Sequence, residues 1–264
     1  MTDSSTGTPA ARPTRPVRPQ IVLSVARTEW LSPHLVRVVA TGDGFGEFQD
    51  SPHTDKYVKI RFPAGDAFVT RTYTVRHVDP VAHEISIDFV VHGDEGLAGP
   101  WAAHARAGDT ISLAGPGGGY TPDPAADSHL LVGDLSALPA IAAALEAMPT
   151  DATGLAIIET TSSQDAIDLV APTGVEVRWM PRGAGDDADA SVLATAVASI
   201  DWPDGDVQVF AHGERESIKA LREVFKARGL TRERLSLSGY WARGRTEDRF
   251  QAEKREPVGV IAPL

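Results

Sequence analysis

The sequence predicts a β + α/β chain, an antiparallel β-barrel followed by a parallel α/β domain. Three observations predict it. The length, 264 residues, suits two domains of ordinary size. Residues 21–113 hold short β-branched segments separated by turn residues, the pattern of a small barrel. After Pro122, continuous apolar segments alternate with helical stretches, as strands do when helices cover both faces of their sheet.

The barrel strands follow in order. Ile21–Val25 and Leu35–Val39 are β-branched, and Tyr57–Phe62 alternates with period two up to Pro63. Arg71–Arg76 alternates as well, which sets Arg71, Tyr73 and Val75 on one face. Glu84–Val91 and Asp109–Leu113 complete the set, with one helical segment around Leu97–Ala105. In the second part the strands are His129–Val132, Leu155–Ile158, Val175–Trp179, Val207–Phe210 and Leu235–Leu237. Helices are predicted over Ser136–Ala147, Gln164–Leu169, Ala190–Ser199 and Glu214–Arg228. The boundaries are residues 1–20 for a Pro- and Arg-bearing disordered tail, 21–122 for the barrel, 123–244 for the α/β domain and 245–264 for a charge-mixed extension.

Composition narrows the function classes. A net charge of −11 argues against a general nucleic-acid binder. The absence of cysteine removes disulfides, thiolate zinc sites, cysteine-ligated iron–sulfur clusters and cysteine nucleophiles. Electron transfer here would need an organic cofactor or a metal held by His and carboxylates. No apolar run matches a signal peptide or a membrane span, so a cytoplasmic protein without membrane or nucleic-acid partners is expected. The eight histidines form no i, i+4 pair, and no Gly-x-Ser-x-Gly elbow occurs.

Several segments can carry chemistry. In Arg71-Thr72-Tyr73-Thr74, an aromatic face beside a guanidinium can hold a planar ring and an anion together, although an edge strand with solvated arginines reads the same way. The glycine-rich turn His92-Gly93-Asp94-Glu95-Gly96 leads into a helix start whose N–H groups suit a pyrophosphate, with Asp94 and Glu95 turned away. Gly115-Pro116-Gly117-Gly118-Gly119-Tyr120 lacks the dinucleotide fingerprint and reads as a flexible turn between domains. Gly133-Asp134-Leu135-Ser136 ends a strand and opens a helix that Asp134 or Ser136 can cap, with Pro139 in the first turn. His212-Gly213-Glu214 and Gly239-Tyr240-Trp241 end late strands of the same sheet and therefore share its edge.

Taken in order, Val58–Pro63, Arg71–Arg76, His92–Ala102, Gly133–Ile141 and Gly239–Trp241 resemble the siderophore-interacting protein family, flavoproteins of the ferredoxin-reductase-like superfamily. The resemblance runs from about Gln20 to Gly244. It implies a barrel that binds FAD and a Rossmann-like α/β domain that receives NADH or NADPH. Arg71, Thr72, Tyr73 and Thr74 would hold the flavin ring and its phosphate side, and Asp88, Phe89 and His92 would line the ring and ribityl chain. Gly96, Ala98, Gly99 and Trp101 would seat the pyrophosphate and adenine side. Gly133, Asp134 and Ser136 would meet the nicotinamide nucleotide, and Tyr240 and Trp241 can pack over a flat ring or over the barrel. Lys59 and Arg243 would attract an anionic ferric siderophore. The family's acidic residue and threonine after Gly133-Asp134 are here Leu135 and Ser136, and its basic residue after Tyr-Trp is Ala242.

The activity this implies is reduction of ferric siderophores by NAD(P)H through FAD, in a protein expected to be monomeric. No residue is assigned a catalytic role and no resident metal is expected. Two alternatives stand beside it: a general NAD(P)H:flavin or ferredoxin-type reductase, and a siderophore- or flavin-binding module without turnover.

Overall fold

The computed structural model describes residues 19–92, 96–182 and 189–264. Most of the expected tail lies outside these residues, as do Gly93, Asp94 and Glu95 of the glycine-rich turn.

The first part is a closed barrel. Its strands are β1 (Ile21–Ser32), β2 (Leu35–Thr41), β3 (Tyr57–Ala64), β4 (Ala67–Asp79), β5 (Glu84–Val90) and β6 (Thr110–Gly117). They close in the order β1-β2-β5-β4-β3-β6, every neighbour antiparallel. Closure leaves no unpaired edge. The period-two pattern decides which face is buried: Val58, Ile60 and Phe62 point into the core, while Tyr57, Lys59 and Arg61 point out. Helix α1 (Ala98–His104) plugs the barrel with Ala98 and Ala102.

The second part is a parallel sheet of β7 (Ser128–Asp134), β8 (Thr153–Thr160), β9 (Gly174–Pro181), β10 (Val207–Glu214) and β11 (Leu235–Trp241). The order is β11-β10-β7-β8-β9. All of β7 is buried, with the apolar Leu130–Val132 at its centre. Leu131 packs towards α2 (Leu138–Ala147), whereas Leu130 and Val132 pack on the other side with α3 (Val192–Ala198) and α4 (Arg215–Ala227). Ile218, Leu221 and Phe225 form the buried stripe of α4. The Glu214 carboxylate caps α4, accepting from the N–H of Glu216 and of Ser217 at 2.7 and 2.9 Å. Helix α5 (Glu247–Glu253) falls within the C-terminal extension.

Three local expectations are corrected. The helix predicted over Gln164–Leu169 is a single 3-10 turn, Ser163–Asp165. There the Asp165 carboxylate accepts from the Ser162 N–H and from Ser32 Oγ of the barrel, at 2.9 Å each. That side chain ties the turn to β1 instead of leaving it to propagate. Helix α2 starts at Leu138 with Ala137 at its N-cap, not at Ser136. Asp134 does not cap it, because its carboxylate bonds to Ser136 and to Glu214 of the neighbouring strand β10. The Gly115–Tyr120 segment is not a loose turn. Strand β6 runs on to Gly117, paired with Tyr57, and the Asp55 carboxylate accepts from the N–H of Gly119 and of Tyr120 at 2.8 Å each.

Barrel and sheet are joined by packing and by polar contacts. Leu35 of β2 is buried in the same cluster as Leu131, Leu135 and Ile141. Arg76 of β4 donates to Glu146 of α2, and the His34 Nδ1 lies 2.9 Å from Asp165.

Candidate functional site

Strand β4 shows why its motif is distinctive. The Tyr73 ring rests on Phe89, centroids 4.4 Å apart; Phe89 meets Trp101 at 5.7 Å, and Trp101 meets Phe62 at 5.4 Å. Phe89 is fully buried, so this aromatic column fixes Tyr73 from beneath. Burial pushes the Tyr73 hydroxyl above its ordinary pKa, and Glu247 adds to the shift. Next to it, Arg71 donates to Asp248 of α5 at 2.9 Å. Thr72 is exposed and accepts from Lys59 Nζ at 3.4 Å, while Thr74 is buried with its hydroxyl against that of Tyr240.

The remaining barrel residues divide by accessibility. Asp88 is buried and accepts two bonds from Arg37, at 2.7 and 2.8 Å. Ala98 and Phe89 belong to the core and support the surface from behind. His92 and Gly96 are exposed. Gly96 has φ +80° with open space where a Cβ would stand, so the chain there can approach a ligand closely. Gly99 packs tightly, since a Cβ would lie 3.1 Å from the Val90 carbonyl.

The carboxyl edge of the parallel sheet is built around Asp134. One oxygen accepts from the Ser136 N–H at 2.9 Å and from its hydroxyl. The other accepts from the Glu214 N–H and from Trp241 Nε1, each at 2.8 Å. Asp134 thereby ties β7, β10 and β11 together, and Trp241 is held by it. Gly133 is required for this approach, because a Cβ there would lie 2.6 Å from the His212 carbonyl. Along the same edge, Glu159 of β8 pairs with Arg182 at 2.9 Å. Burial pushes the Glu159 carboxyl up to about 7 against the opposing pull of Arg182. Arg243 stands 6.0 Å from the Trp241 ring, with its N–H on Glu214. Its charged neighbour Glu159 lies on the sheet, whereas that of Lys59 is Lys254, just beyond α5.

Between the two halves lies a buried polar line. His212 Nδ1 is 2.9 Å from the Tyr240 hydroxyl, and Nε2 is 2.9 Å from Ser236 Oγ. Burial pushes the imidazole down to about 3, so it is neutral at physiological pH. The Phe210 ring packs on it with centroids 3.8 Å apart.

Sequence reasoning missed Arg37, Asp248, Glu159, Arg182 and Ser236. Arg37 alone carried a signal: a buried acid on β5 needs a cation, and Arg37 stands opposite Asp88 in the β2–β5 register. Among the described residues no cluster of His, Asp and Glu could hold a metal ion, and no helix is long and apolar enough to cross a membrane.

Comparison with known proteins follows this division. The siderophore-interacting FAD-binding domain family matches residues 24–68 and 61–120, and the siderophore-interacting protein family matches residues 126–244. The chain belongs to the siderophore-interacting proteins. An uncharacterised protein of Mycobacterium tuberculosis is 46% identical over 90% of this chain and 96% of its own length. The ferric vibriobactin reductase of Vibrio cholerae is 34% identical over 88% of this chain and 93% of its own. The crystal structure of a siderophore utilization protein from T. fusca superposes with a TM-score of 0.80 at 33% identity, covering 86% of this chain and 94% of that one. This siderophore-interacting protein shares the barrel-and-sheet architecture of its relatives, with FAD-binding and ferric reductase homologues among them.

Proposed function

We propose that the protein is an FAD-dependent reductase of ferric siderophores, supplied with electrons by NADH or NADPH. The observation that carries the reading is the β4 motif: a tyrosine ring backed by a buried aromatic column, with a guanidinium beside it. These residues fit the cofactor. FAD needs a planar contact, a cation for its phosphates and backbone it can approach closely, and Tyr73, Arg71 and the open Gly96 turn supply them in turn. When bound, the flavin bridges the two-electron chemistry of a nicotinamide and the one-electron chemistry of Fe(III).

The chain's own part is to bind and orient. Arg71 would hold phosphate, and Tyr73 with Thr72 and Thr74 would set the ring plane. Asp88 would act through Arg37, whose two hydrogen bonds fix its carboxylate. Exposed His92 and the stretch from Gly96 to Trp101 would border the ribityl and phosphate side. The sheet edge at Gly133, Asp134 and Ser136 would receive the nicotinamide nucleotide, beside Tyr240 and Trp241. There Asp134 acts by fixing the loop, since its oxygens already bond to the chain. Lys59 and Arg243 would draw in an anionic ferric complex.

The vibriobactin reductase activity of the Vibrio relative supports a siderophore acceptor. The test is reduction of a bound flavin by NADH or NADPH without oxygen, followed by a ferric siderophore and a ferrous chelator. Repeated formation of the ferrous complex is expected. Reduction of a ferredoxin but of no ferric siderophore would overturn the reading.

A further inference from the structure

We propose that Thr74, Tyr240, His212 and Ser236 form a proton path from the flavin strand to solvent. The proposal rests on the flavin reading above. Thr74 lies on β4, next to Tyr73, and its hydroxyl contacts that of Tyr240 on β11. The Tyr240 hydroxyl is 2.9 Å from His212 Nδ1, and His212 Nε2 is 2.9 Å from Ser236 Oγ. Ser236 lines an open groove together with Thr121, Gln208 and Arg234. The line therefore starts at the barrel, crosses the fully enclosed imidazole and ends at water.

Three features suit the line to protons. Both imidazole nitrogens face hydroxyl groups, which donate and accept. A neutral imidazole can take a proton at Nδ1 while giving one up at Nε2. The burial that keeps His212 neutral also stops it from trapping the proton as a cation.

The proposed reaction has one proton to dispose of. With FAD bound, reoxidation after hydride reduction would give one electron to each of two Fe(III) ions, forming two Fe(II), and would release one proton. It would pass from the flavin to Thr74 Oγ1, Tyr240 Oη, His212 Nδ1, and from Nε2 to Ser236 Oγ and water, each group regaining the proton it hands on. No further oxidant or base is needed.

The test uses FAD-loaded protein reduced by one equivalent of NADH and mixed with ferricyanide, a one-electron acceptor that takes up no proton. Flavin absorbance follows the electrons, and a pH indicator in weak buffer follows the proton. In the wild type the two traces coincide. In Tyr240→Phe and in Ser236→Ala, proton release should lag by on the order of a hundredfold. A second readout needs no flavin. Nitrogen NMR of the FAD-free protein should show His212 neutral with its proton shared between Nδ1 and Nε2, and Ser236→Ala should shift that balance. Proton release unchanged in both variants, or a fixed His212 tautomer indifferent to Ser236, overturns the path alone. Protein that takes up no FAD overturns the flavin reading and the path with it.

Discussion

Arg71 on β4 and Asp248 on α5 form a 2.9 Å ion pair, which lays the C-terminal helix against the strand proposed to hold FAD. The guanidinium is 14% exposed and the carboxylate 69% exposed, so solvent and ligand reach this pair from the Asp248 side. A phosphate seeking Arg71 meets an acid already there. Asp248→Asn should tighten FAD binding several-fold. Arg71→Ala should weaken it by about 1.5–3 kcal/mol, the worth of a charge-assisted contact. Titration of the apoprotein by flavin fluorescence measures both, and equal affinities in all three proteins would remove Arg71 from the site.

The anchor of α5 is sensitive to acid. Glu253 is buried at 3% exposure and accepts from Arg215, Arg245 and Arg249 at 2.7, 2.8 and 2.9 Å. These cations, Arg215 foremost, hold its carboxyl at about 2, against an ordinary 4.5. The unfolded chain thus binds the proton more readily than the folded one. The stabilisation is complete above 4.5 and is lost as pH falls towards 2. Thermal unfolding of the wild type should decline across that window, and the Glu253→Gln profile should be flatter. Parallel profiles would contradict this account.

The aromatic column predicts a linked loss of stability and order. Phe89→Ala removes a fully buried ring between Tyr73 and Trp101. It should cost about 3–5 kcal/mol in denaturant unfolding. The near-ultraviolet circular dichroism of Tyr73 and Trp101 should weaken at the same time. A cost below about 1 kcal/mol would show that the barrel closes around the gap.

Asp134 predicts a different failure. Asn at this position keeps one acceptor and turns its amide towards donors at Ser136, or at Glu214 and Trp241. Asp134→Asn should destabilise by roughly 1–3 kcal/mol and shift the Trp241 emission as its indole N–H loses its partner. Unchanged stability and emission would mean that these bonds contribute little.

Much of this architecture was legible in the chain itself. Period-two alternation located β3 and β4, and the apolar centre Leu130–Val132 of the segment His129–Val132 announced a strand covered on both faces. The helix predicted at Gln164–Leu169 failed because its fate rests on a partner far along the chain, Ser32, which occupies Asp165. The site shows the same limit. Arg71 and Tyr73 stand out locally, but the Arg71 partner lies 177 residues away and no spacing rule reaches it. Leu135, a polar position in the related family pattern, is buried at 4% among Leu131, Leu138 and Ile141, and its apolar character suits that cluster.

With no cysteine in this chain, the proposed electron transfer needs another carrier, and the proposal is that a flavin fills that role. Its most direct test is the visible absorbance spectrum of the FAD-reconstituted protein, followed without oxygen as NADH or NADPH and then a ferric siderophore are added. The account predicts a bound flavin band that bleaches with the donor and returns with the ferric complex. A protein that takes up no FAD, or a bleached band that the ferric siderophore leaves unchanged, would contradict it.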